Sequence, residues 1–239
     1  MSADPPGSEL EADLERARDL SIDDIAAAIE SIGFECTRCG ACCRGHGDDE
    51  HTATAFPDEV RALAGQDEPA SRSGDGTPDP DPDEYDWRDV ARPMPYGLQD
   101  GENGLEGETF EWALQTDGCG DCTFYTEDDG IGACTVHENR PLICRTYPFS
   151  VALSGTSQPM GEPVDEAGIV RAHECEGLGR DISREDAEEL ARTLKQRAIR
   201  ELEEAIALLE AYEPVDADGA VVVHDSEGAK RPDGSEWNR

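Results

Sequence analysis

Apolar residues recur at three- and four-residue spacing near both ends of the chain, which is typical of amphipathic helices. Near the N-terminus the pattern starts at Glu9, restarts after a capping-box-like sequence at Ser21, and stops just before Cys36. Near the C-terminus a second such start at Ser183 opens a longer apolar stripe, which ends before Pro214. The pattern therefore predicts N-terminal helical segments that lead into Cys36, and one long C-terminal helix.

Between these helical segments the apolar runs are short, and several alternate with polar residues as half-buried strands do. The candidate strands are Thr52–Phe56, Thr109–Thr116, Gly132–His137, Phe149–Leu153 and Gly168–Ala172. Alternation along the second of them places Phe110, Trp112 and Leu114 on one face. Pro57 and Pro141 each begin a short helix, because proline is favoured in a first helical turn. The predicted fold class is α+β: a small cysteine-rich, metal-organised domain with short antiparallel strands, flanked by an N-terminal helix and a long C-terminal helix.

Composition divides the chain into a domain with extensions. The predicted divisions are a disordered tail at residues 1–8, a cysteine-cluster metal-binding domain at 9–182, a C-terminal helix packed on it at 183–212, and an acidic tail at 213–239. Within the domain a disordered acidic insert is expected at about residues 65–86, since Gly, Ser, Pro and Asp dominate there and cannot bury enough apolar surface. Within the acidic tail, Val221–Val223 could add one edge strand.

The densest group of reactive side chains is Cys36-Thr37-Arg38-Cys39-Gly40-Ala41-Cys42-Cys43, with the spacing C-x2-C-x2-C-C. Two-residue gaps in a tight loop let successive sulfurs turn toward one point, which is how a chain holds zinc or an iron–sulfur cluster. Closely packed thiolates repel one another, so a bound cation or cluster stabilises them. The spacing therefore favours metal binding over buried thiols or disulfides.

The chain is strongly acidic: 56 Asp and Glu residues against 20 Lys and Arg residues give a formal net charge of −36. Lysine occurs only at Lys195 and Lys230, a composition that suggests halophilic adaptation, since molar salt screens the self-repulsion. This charge argues against a nucleic-acid partner. No basic and apolar targeting segment and no membrane-length apolar run is visible, so we expect a cytoplasmic protein that does not bind a membrane. In a reducing cytoplasm, nine cysteines favour metal ligation over disulfide pairing.

Further cysteine motifs follow the loop in a fixed order: Cys122-x-Phe124, Cys134-x-Val136, Arg140-Pro141-x2-Cys144-Arg145-x-Tyr147-Pro148-Phe149 and Cys175-x-Gly177. Together with the first loop, this order resembles the YkgJ-type cysteine-cluster (CxxCxxCC) family, a zinc- or iron-chelating domain. The resemblance covers roughly residues 33–180, with an insertion at about 65–108. It implies eight metal ligands: Cys36, Cys39, Cys42, Cys43, Cys122, Cys134, Cys144 and Cys175. Cys119 stands outside the family pattern.

Eight thiols could close two zinc sites, one 4Fe-4S cluster with a second site, or two clusters. An iron–sulfur cluster of the 4Fe-4S type is favoured, because the C-x2-C-x2-C run resembles the three-ligand loop of bacterial ferredoxins. Zinc is the alternative, although zinc ribbons use two separated C-x2-C knuckles and only Cys119 and Cys122 offer a second one. Because Cys42 and Cys43 are adjacent, one of them either serves a different metal or does not bind one directly.

Four functions are compatible with these residues. The first is cytoplasmic electron transfer, or service as an oxidoreductase component, with an unidentified redox protein as partner. The second is a zinc-stapled structural or interaction module, in which the metal only folds the domain. The third is an iron–sulfur enzyme, since the resemblance extends more weakly to flagellin lysine methylases, and the fourth is metal delivery or storage. No phosphate loop or dinucleotide motif occurs, so the sequence assigns no catalytic residue and leaves open whether the protein is an enzyme.

Overall fold

The computed structural model describes residues 6–46, 49–65, 85–101, 104–158, 163–165, 168–217 and 219–237. The chain divides into two compact units: unit 1 contains Met1–Cys42 and Leu142–Glu210, and unit 2 contains Cys43–Pro141 and Ala211–Arg239. The helices in the described residues are α1 (Pro6–Asp19), α2 (Ile22–Ile32), α3 (Pro57–Leu63), α4 (Trp87–Val90), α5 (Leu142–Thr146) and α6 (Arg184–Ala211). The strands are β1 (Thr54–Ala55), β2 (Ala91–Pro93), β3 (Gln99–Gly101), β4 (Gly104–Phe110), β5 (Trp112–Leu114), β6 (Tyr125–Asp128), β7 (Ile131–Cys134), β8 (Phe149–Val151), β9 (Pro163–Asp165), β10 (Val170–His173), β11 (Val221–Asp225) and β12 (Gly228–Lys230). This mixture of helices and short strands confirms the predicted α+β class.

Unit 1 packs helices against a three-stranded antiparallel sheet with the strand order β8-β10-β9. The Ser21 hydroxyl caps α2 by accepting the Asp24 backbone N–H at 3.3 Å, as the sequence predicts, and Gly33 ends the helix. The apolar stripe of α6 packs with α1, α2 and the sheet in one buried cluster that includes Ile29, Phe149 and Leu194. The long C-terminal helix is therefore a core element of unit 1.

Unit 2 combines a four-stranded sheet in the order β12-β11-β4-β3, a three-stranded sheet in the order β1-β5-β2, and the hairpin β6-β7. Trp112 is fully buried, and its indole Nε1–H donates to Asp225 Oδ2 at 2.8 Å. The same carboxylate pairs with the buried Lys230 ammonium at 2.8 Å, and that ammonium lies 5.4 Å from the centroid of the Trp87 ring. Aromatic rings and a buried ion pair thus share the interior of unit 2.

The single strand predicted for Thr109–Thr116 is wrong in detail, because the structure divides it between β4 and β5. Glu111 separates the two strands with a φ of 65°, in the left-handed region, where strand pairing cannot continue. The break rotates the side chains after it, so that Trp112 is buried while Phe110 is 47% exposed. The predicted common face of Phe110, Trp112 and Leu114 therefore does not exist.

Residues 213–239 contain more structure than the acidic tail that composition suggests. Strand β11 is an interior strand rather than an edge strand, because it pairs in parallel with β4 and antiparallel with β12. Val222, Val223 and His224 are fully buried there. The parallel pairing is also an exception to the predicted antiparallel pattern.

Other predicted elements occur with shifted ends. Helix α1 begins at Pro6, inside the predicted tail, whose residues 1–5 lie outside the described part of the chain. Most of the predicted insert, residues 66–84, also lies outside it. Asp129 and Gly130 join β6 to β7 with positive φ, as a two-residue hairpin requires. No helix in the described ranges has the length and apolar character needed to cross a membrane.

Candidate metal centre

Five of the nine cysteines belong to unit 1: Cys36, Cys39, Cys42, Cys144 and Cys175. The first three lie on the loop that follows α2, and this loop ends in a 3₁₀ turn over Ala41–Cys43. Arg38 and Gly40 flank the middle cysteine in left-handed conformations, with φ of 59° and 76°. Reversals of this kind on both sides of Cys39 keep the loop tight, as the sequence spacing predicts.

Backbone hydrogen bonds hold the Cys175 segment against the start of this loop. The Glu35 N–H donates to Gly177 O at 3.0 Å, and the Gly179 N–H donates to Gly33 O at 3.0 Å. Gly177 lies so close that a Cβ atom there would overlap the Glu35 carbonyl oxygen. The glycine of the Cys175-x-Gly177 motif is thus needed for the close approach of two chain segments.

Strand pairing brings the Cys144 segment next to the Cys175 segment in unit 1. Cys144 lies on α5, which leads into β8, and β8 pairs antiparallel with β10 just before Cys175. The His173 N–H donates to Pro148 O at 2.9 Å, and the Tyr147 hydroxyl donates to the Glu174 carbonyl oxygen. Motifs that are far apart in the sequence are therefore in contact in the structure.

A buried arginine supports α5 and β8 from the side of α6. The Arg197 guanidinium donates to Thr146 Oγ1 at 3.0 Å, to Phe149 O at 3.1 Å and to Ser157 O at 2.5 Å. It also pairs with Glu201 at 2.8 Å, and both of these side chains are buried. Sequence reasoning missed Arg197, although its position three residues after Leu194 on the apolar stripe is a signal that it lies on the buried face.

The charges of three other cysteines of unit 1 act on the Cys175 thiol. Burial raises the pKa of the Cys175 thiol, and the charges of Cys39, Cys42 and Cys36 raise it further. Against these effects, the Gly177 N–H donates to Cys175 Sγ at 3.4 Å and favours the thiolate. A bound cation would offset these effects and favour the Cys175 thiolate.

Tyr147 reports on the same group of thiols. Burial raises the pKa of its phenol, and the charges of Cys175, Cys42 and Cys39 raise it further. The phenol therefore stays protonated and remains a hydrogen-bond donor to the Glu174 carbonyl. Its contribution is to hold the residue before Cys175 in place.

The other four cysteines, Cys43, Cys119, Cys122 and Cys134, belong to unit 2. The Cys122 N–H donates to Cys43 O at 2.8 Å, and the Tyr125 N–H donates to Cys122 O at 2.9 Å. Tyr125 in turn lies opposite Cys134 in the β6-β7 hairpin. Three cysteine-bearing segments are thus linked by backbone contacts.

Cys119 differs from these three cysteines in its surroundings. It lies in a turn organised by the Asp117 carboxylate, whose Oδ1 accepts the N–H groups of Cys119 at 2.7 Å and of Asp121 at 3.2 Å. Its thiol is exposed, whereas Cys122 is buried and Cys43 and Cys134 are half-buried.

The donor set fits a thiophilic metal. None of the nine cysteines, all of which lie within the described ranges, forms a disulfide. In the part of the chain that the structure describes, no three His, Cys, Asp or Glu side chains already stand as a ready ligand set. Metal binding therefore requires the cysteine side chains to move toward a common point. The eight-ligand assignment stays a prediction.

The fold and the thiol groups define a small α+β protein of the cysteine-cluster, metal-binding class. The chain belongs to the CxxCxxCC family, described as "Putative zinc- or iron-chelating domain", which matches residues 35–176. This range is more than half of the 239-residue chain and includes all nine cysteines. The comparisons with curated proteins and with solved structures gave no match.

Proposed function

We propose that this protein binds an iron–sulfur cluster of the 4Fe-4S type in the cytoplasm and serves in electron transfer or as an oxidoreductase component. The main support is that backbone hydrogen bonds of Glu35 and Gly179 join the Cys175 segment, within one unit, to the loop that carries Cys36, Cys39 and Cys42. Four thiolates are the usual ligand set of such a cluster. Cys36, Cys39, Cys42 and Cys175 would hold it, and Cys144, on α5 of the same unit, is the cysteine of the family pattern that these four positions leave over.

The residues around the thiols suit a redox centre. When bound, the cluster supplies one-electron transfer. The chain excludes water from one side by half-burying Cys39 and Cys175, while Cys36 and Cys42 are exposed. An exposed edge allows a redox partner protein to approach, and the net charge of −36 argues that this partner is not nucleic acid.

Anaerobic purification with iron, acid-labile sulfide and zinc measured on the same sample tests this proposal. We expect iron and sulfide in equal amounts and a visible absorbance that bleaches on reduction with dithionite. Cys39→Ser should lose the iron, whereas Cys119→Ser, a matched change of an exposed thiol, should keep it. A colourless protein that contains zinc alone would refute the iron–sulfur proposal.

Such a result would favour a zinc-stapled module instead. Four clustered thiolates are also the donor set of closed structural zinc sites, so the unit 1 group supports this second candidate. The zinc would then stabilise the fold, and a chelator would unfold the protein. Chelation that removed zinc without any loss of helical circular dichroism would argue against a structural role.

A further inference from the structure

Two aromatic side chains of unit 2 form one exposed patch. Phe110, at the end of β4, is 47% exposed, and Tyr212, just after α6, is 39% exposed. Their ring centroids lie 5.8 Å apart with the ring planes at 45°, so the two rings are in contact. We propose that this aromatic patch, defined by Phe110 and Tyr212, is a docking surface for a partner protein that presents an arginine side chain. The patch contains no cysteine, so its binding does not depend on the proposed cluster.

The backbone at Glu111 turns Phe110 away from the interior. Glu111 has a φ of 65°, in the left-handed region that glutamate rarely adopts, and this break ends β4 directly after Phe110. Two backbone hydrogen bonds hold it: the Glu111 N–H donates to His224 O at 2.9 Å, and the Met94 N–H donates to Glu111 O at 3.3 Å. Backbone conformations of this kind cost free energy and are concentrated at ligand-binding positions. The exposure of Phe110 is therefore built into the fold.

A buried histidine places a carboxylate beside the two rings. His224 is fully buried, and its ring centroid lies 5.6 Å from that of Phe110 and 4.8 Å from that of Tyr212. Its Nε2 atom pairs with Glu108 Oε2 at 2.7 Å. Glu108 lies two residues before Phe110 on β4, so both side chains leave the same face of the strand. The Glu108 side chain is 32% exposed, which leaves its carboxylate accessible at the edge of the patch.

The charge of the chain around the patch favours a cationic group. Neither of the two segments that carry the rings, residues 93–139 and 201–229, contains a lysine or an arginine. Both segments are rich in carboxylates, and Glu111 and Glu213 directly follow the two aromatic residues. The faces of aromatic rings attract cations, and a nearby carboxylate strengthens that attraction. Charge complementarity therefore points to a basic side chain on the partner.

Arginine matches the patch better than lysine does. Its planar guanidinium group stacks on an aromatic ring and can at the same time donate to a carboxylate such as that of Glu108. Arginine and aromatic residues are also enriched in the centres of protein–protein interfaces. In the molar salt that the acidic composition suggests, long-range charge attraction is screened, whereas a direct ring contact is much less affected.

The strength of these contacts indicates a protein partner rather than a free cation. One cation–π contact at an exposed site strengthens binding by about two- to fivefold, and one exposed ion pair by about fivefold or less. Together they reach about 25-fold, which is far below the roughly thousandfold that millimolar binding requires. Occupation of the patch therefore needs the further contacts that the surface of a partner protein supplies.

Nuclear magnetic resonance of the two rings tests the chemistry of the patch on the wild-type protein. The probes are N-acetyl-arginine amide and N-acetyl-citrulline amide, which have nearly the same shape but differ in charge. We expect the Phe110 and Tyr212 ring signals to shift with the arginine probe, with an affinity about tenfold higher than that of the citrulline probe. Equal shifts with both probes, or no shift with the arginine probe up to about 100 mM, would overturn the proposal.

Single variants separate the ring contact from the charge contact, and the ring that remains reports the affinity. Phe110→Leu and Tyr212→Leu keep apolar surface but remove a ring face, so each should weaken arginine binding by about two- to fivefold. Glu108→Gln removes the charge and should weaken it by about fivefold or less. Tyr96→Leu is the matched control, because the same change at another exposed tyrosine, 72% exposed, should leave the affinity unchanged. Equal losses in Tyr96→Leu and Tyr212→Leu would show unspecific binding to an acidic surface and refute the patch.

A photo-crosslinker identifies what occupies the patch. With p-benzoylphenylalanine in place of Phe110, the full-length chain is irradiated in cell extract, and the crosslinked peptide is sequenced by mass spectrometry. We expect a peptide of another protein with an arginine next to the crosslinked residue, and competition by N-acetyl-arginine amide but not by the citrulline probe. A crosslink to a second copy of this chain, or to a peptide without arginine, would refute the proposed occupant.

Discussion

Unit 1 and unit 2 each gather cysteines, but they hold them with different kinds of contact. In unit 1 the Cys175 segment is joined to the cysteine loop by backbone hydrogen bonds at Glu35, Gly177 and Gly179. In unit 2 the backbone bond from Cys122 N–H to Cys43 O is supplemented by charged side chains, since Asp121 accepts the Gly45 N–H and Arg44 binds Tyr125. Contacts of charged side chains weaken as salt rises, and acid removes the charge of a carboxylate, whereas backbone bonds are much less sensitive. The comparison suggests that solution conditions act mainly on unit 2.

The buried interiors extend the contrast. Every residue of the main apolar cluster of the described residues lies in unit 1, whereas all three tryptophans of the sequence, Trp87, Trp112 and Trp237, lie in unit 2. Tryptophan fluorescence therefore reports on unit 2. The longest helices, α1, α2 and α6, lie in unit 1, so far-UV circular dichroism reports mainly on that unit. One sample can thus report on both regions.

The largest effect is expected from removing the buried arginine of unit 1. Arg197→Met should lower the free energy of unfolding by about 3–5 kcal/mol, because it removes the cation that pairs with the buried Glu201 carboxylate and the donor to three further oxygen atoms. Urea unfolding followed by helical circular dichroism measures this loss. Such a loss would show that unit 1 depends on a side-chain contact as well as on backbone hydrogen bonds.

The double variant Arg197→Met with Glu201→Met separates the two causes. If the stranded charge dominates, the double variant should be more stable than Arg197→Met alone. A loss below about 1 kcal/mol in Arg197→Met, as small as that of an exposed ion pair, would contradict the assignment of Arg197 as an essential buried contact.

In unit 2 the matching change is Lys230→Met. It leaves the Asp225 carboxylate, only 2% exposed, without its cation, so we expect a loss of about 3 kcal/mol in tryptophan-monitored unfolding. Lys195→Met is the control, because Lys195 donates to the carbonyl oxygens of Arg18 and Leu20 rather than to a buried charge. That variant should lose about 1 kcal/mol. Equal losses in the two variants would contradict a stabilising role for the buried ion pair between Lys230 and Asp225.

Local patterns in the sequence predicted local structure well. Ser21 and Pro57 mark the starts of α2 and α3, where capping and first-turn chemistry favour them. The family order of cysteines likewise indicated a metal-binding protein, which the family match confirms. These features depend on residues that are close in sequence, so their signals are visible without a structure.

What the sequence did not predict depends on contacts between distant segments. Strand β11 pairs with β4 across more than 100 residues, and its short valine run alone indicated only an edge strand. The strand break at Glu111 also escaped prediction, because glutamate rarely adopts positive φ. The division of the cysteines between two units was not predicted either, because no rule of sequence spacing assigns the adjacent Cys42 and Cys43 to different units.

A smaller effect is expected at the glycine that allows close approach in unit 1. Gly177→Ala should lower the free energy of unfolding by about 1–3 kcal/mol, because the added methyl group would overlap the Glu35 carbonyl and push the Cys175 segment away. Metal content should fall in the same variant. Urea unfolding followed by circular dichroism, with iron measured in parallel, checks both outcomes.

Gly7→Ala is the matched control for this change. Gly7 lies within α1 of the same unit and has no neighbouring atom within 4 Å of the added methyl position. Alanine there should raise stability by about 0.5–1 kcal/mol. If Gly177→Ala behaved like Gly7→Ala, the close contact between the Cys175 segment and the cysteine loop would not constrain the protein.

Acid should change the stability contributions of one carboxylate in each unit in opposite directions. Bidentate hydrogen bonding from Arg61, with help from Lys230, lowers the pKa of Glu227 in unit 2 from 4.5 to about 2. Burial instead raises the pKa of Glu201 in unit 1. Glu227 therefore adds to the free energy of unfolding above pH 4.5, and this contribution is lost as the pH falls toward 2. Glu201 adds to the free energy of unfolding below pH 4.5, and this contribution is lost as the pH rises through its raised pKa.

The smallest predicted effect is Glu227→Gln, which should flatten the acid dependence of tryptophan-monitored unfolding between pH 4.5 and 2. The carboxylate is partly exposed, so solvent screening limits the change to under about 1 kcal/mol. Arg61→Gln should remove most of the same acid dependence, since it deletes the bidentate partner. The helical signal of unit 1 should keep its acid dependence in both variants. If that signal changed as much as the tryptophan signal, the two units would not differ in the pH dependence of their unfolding.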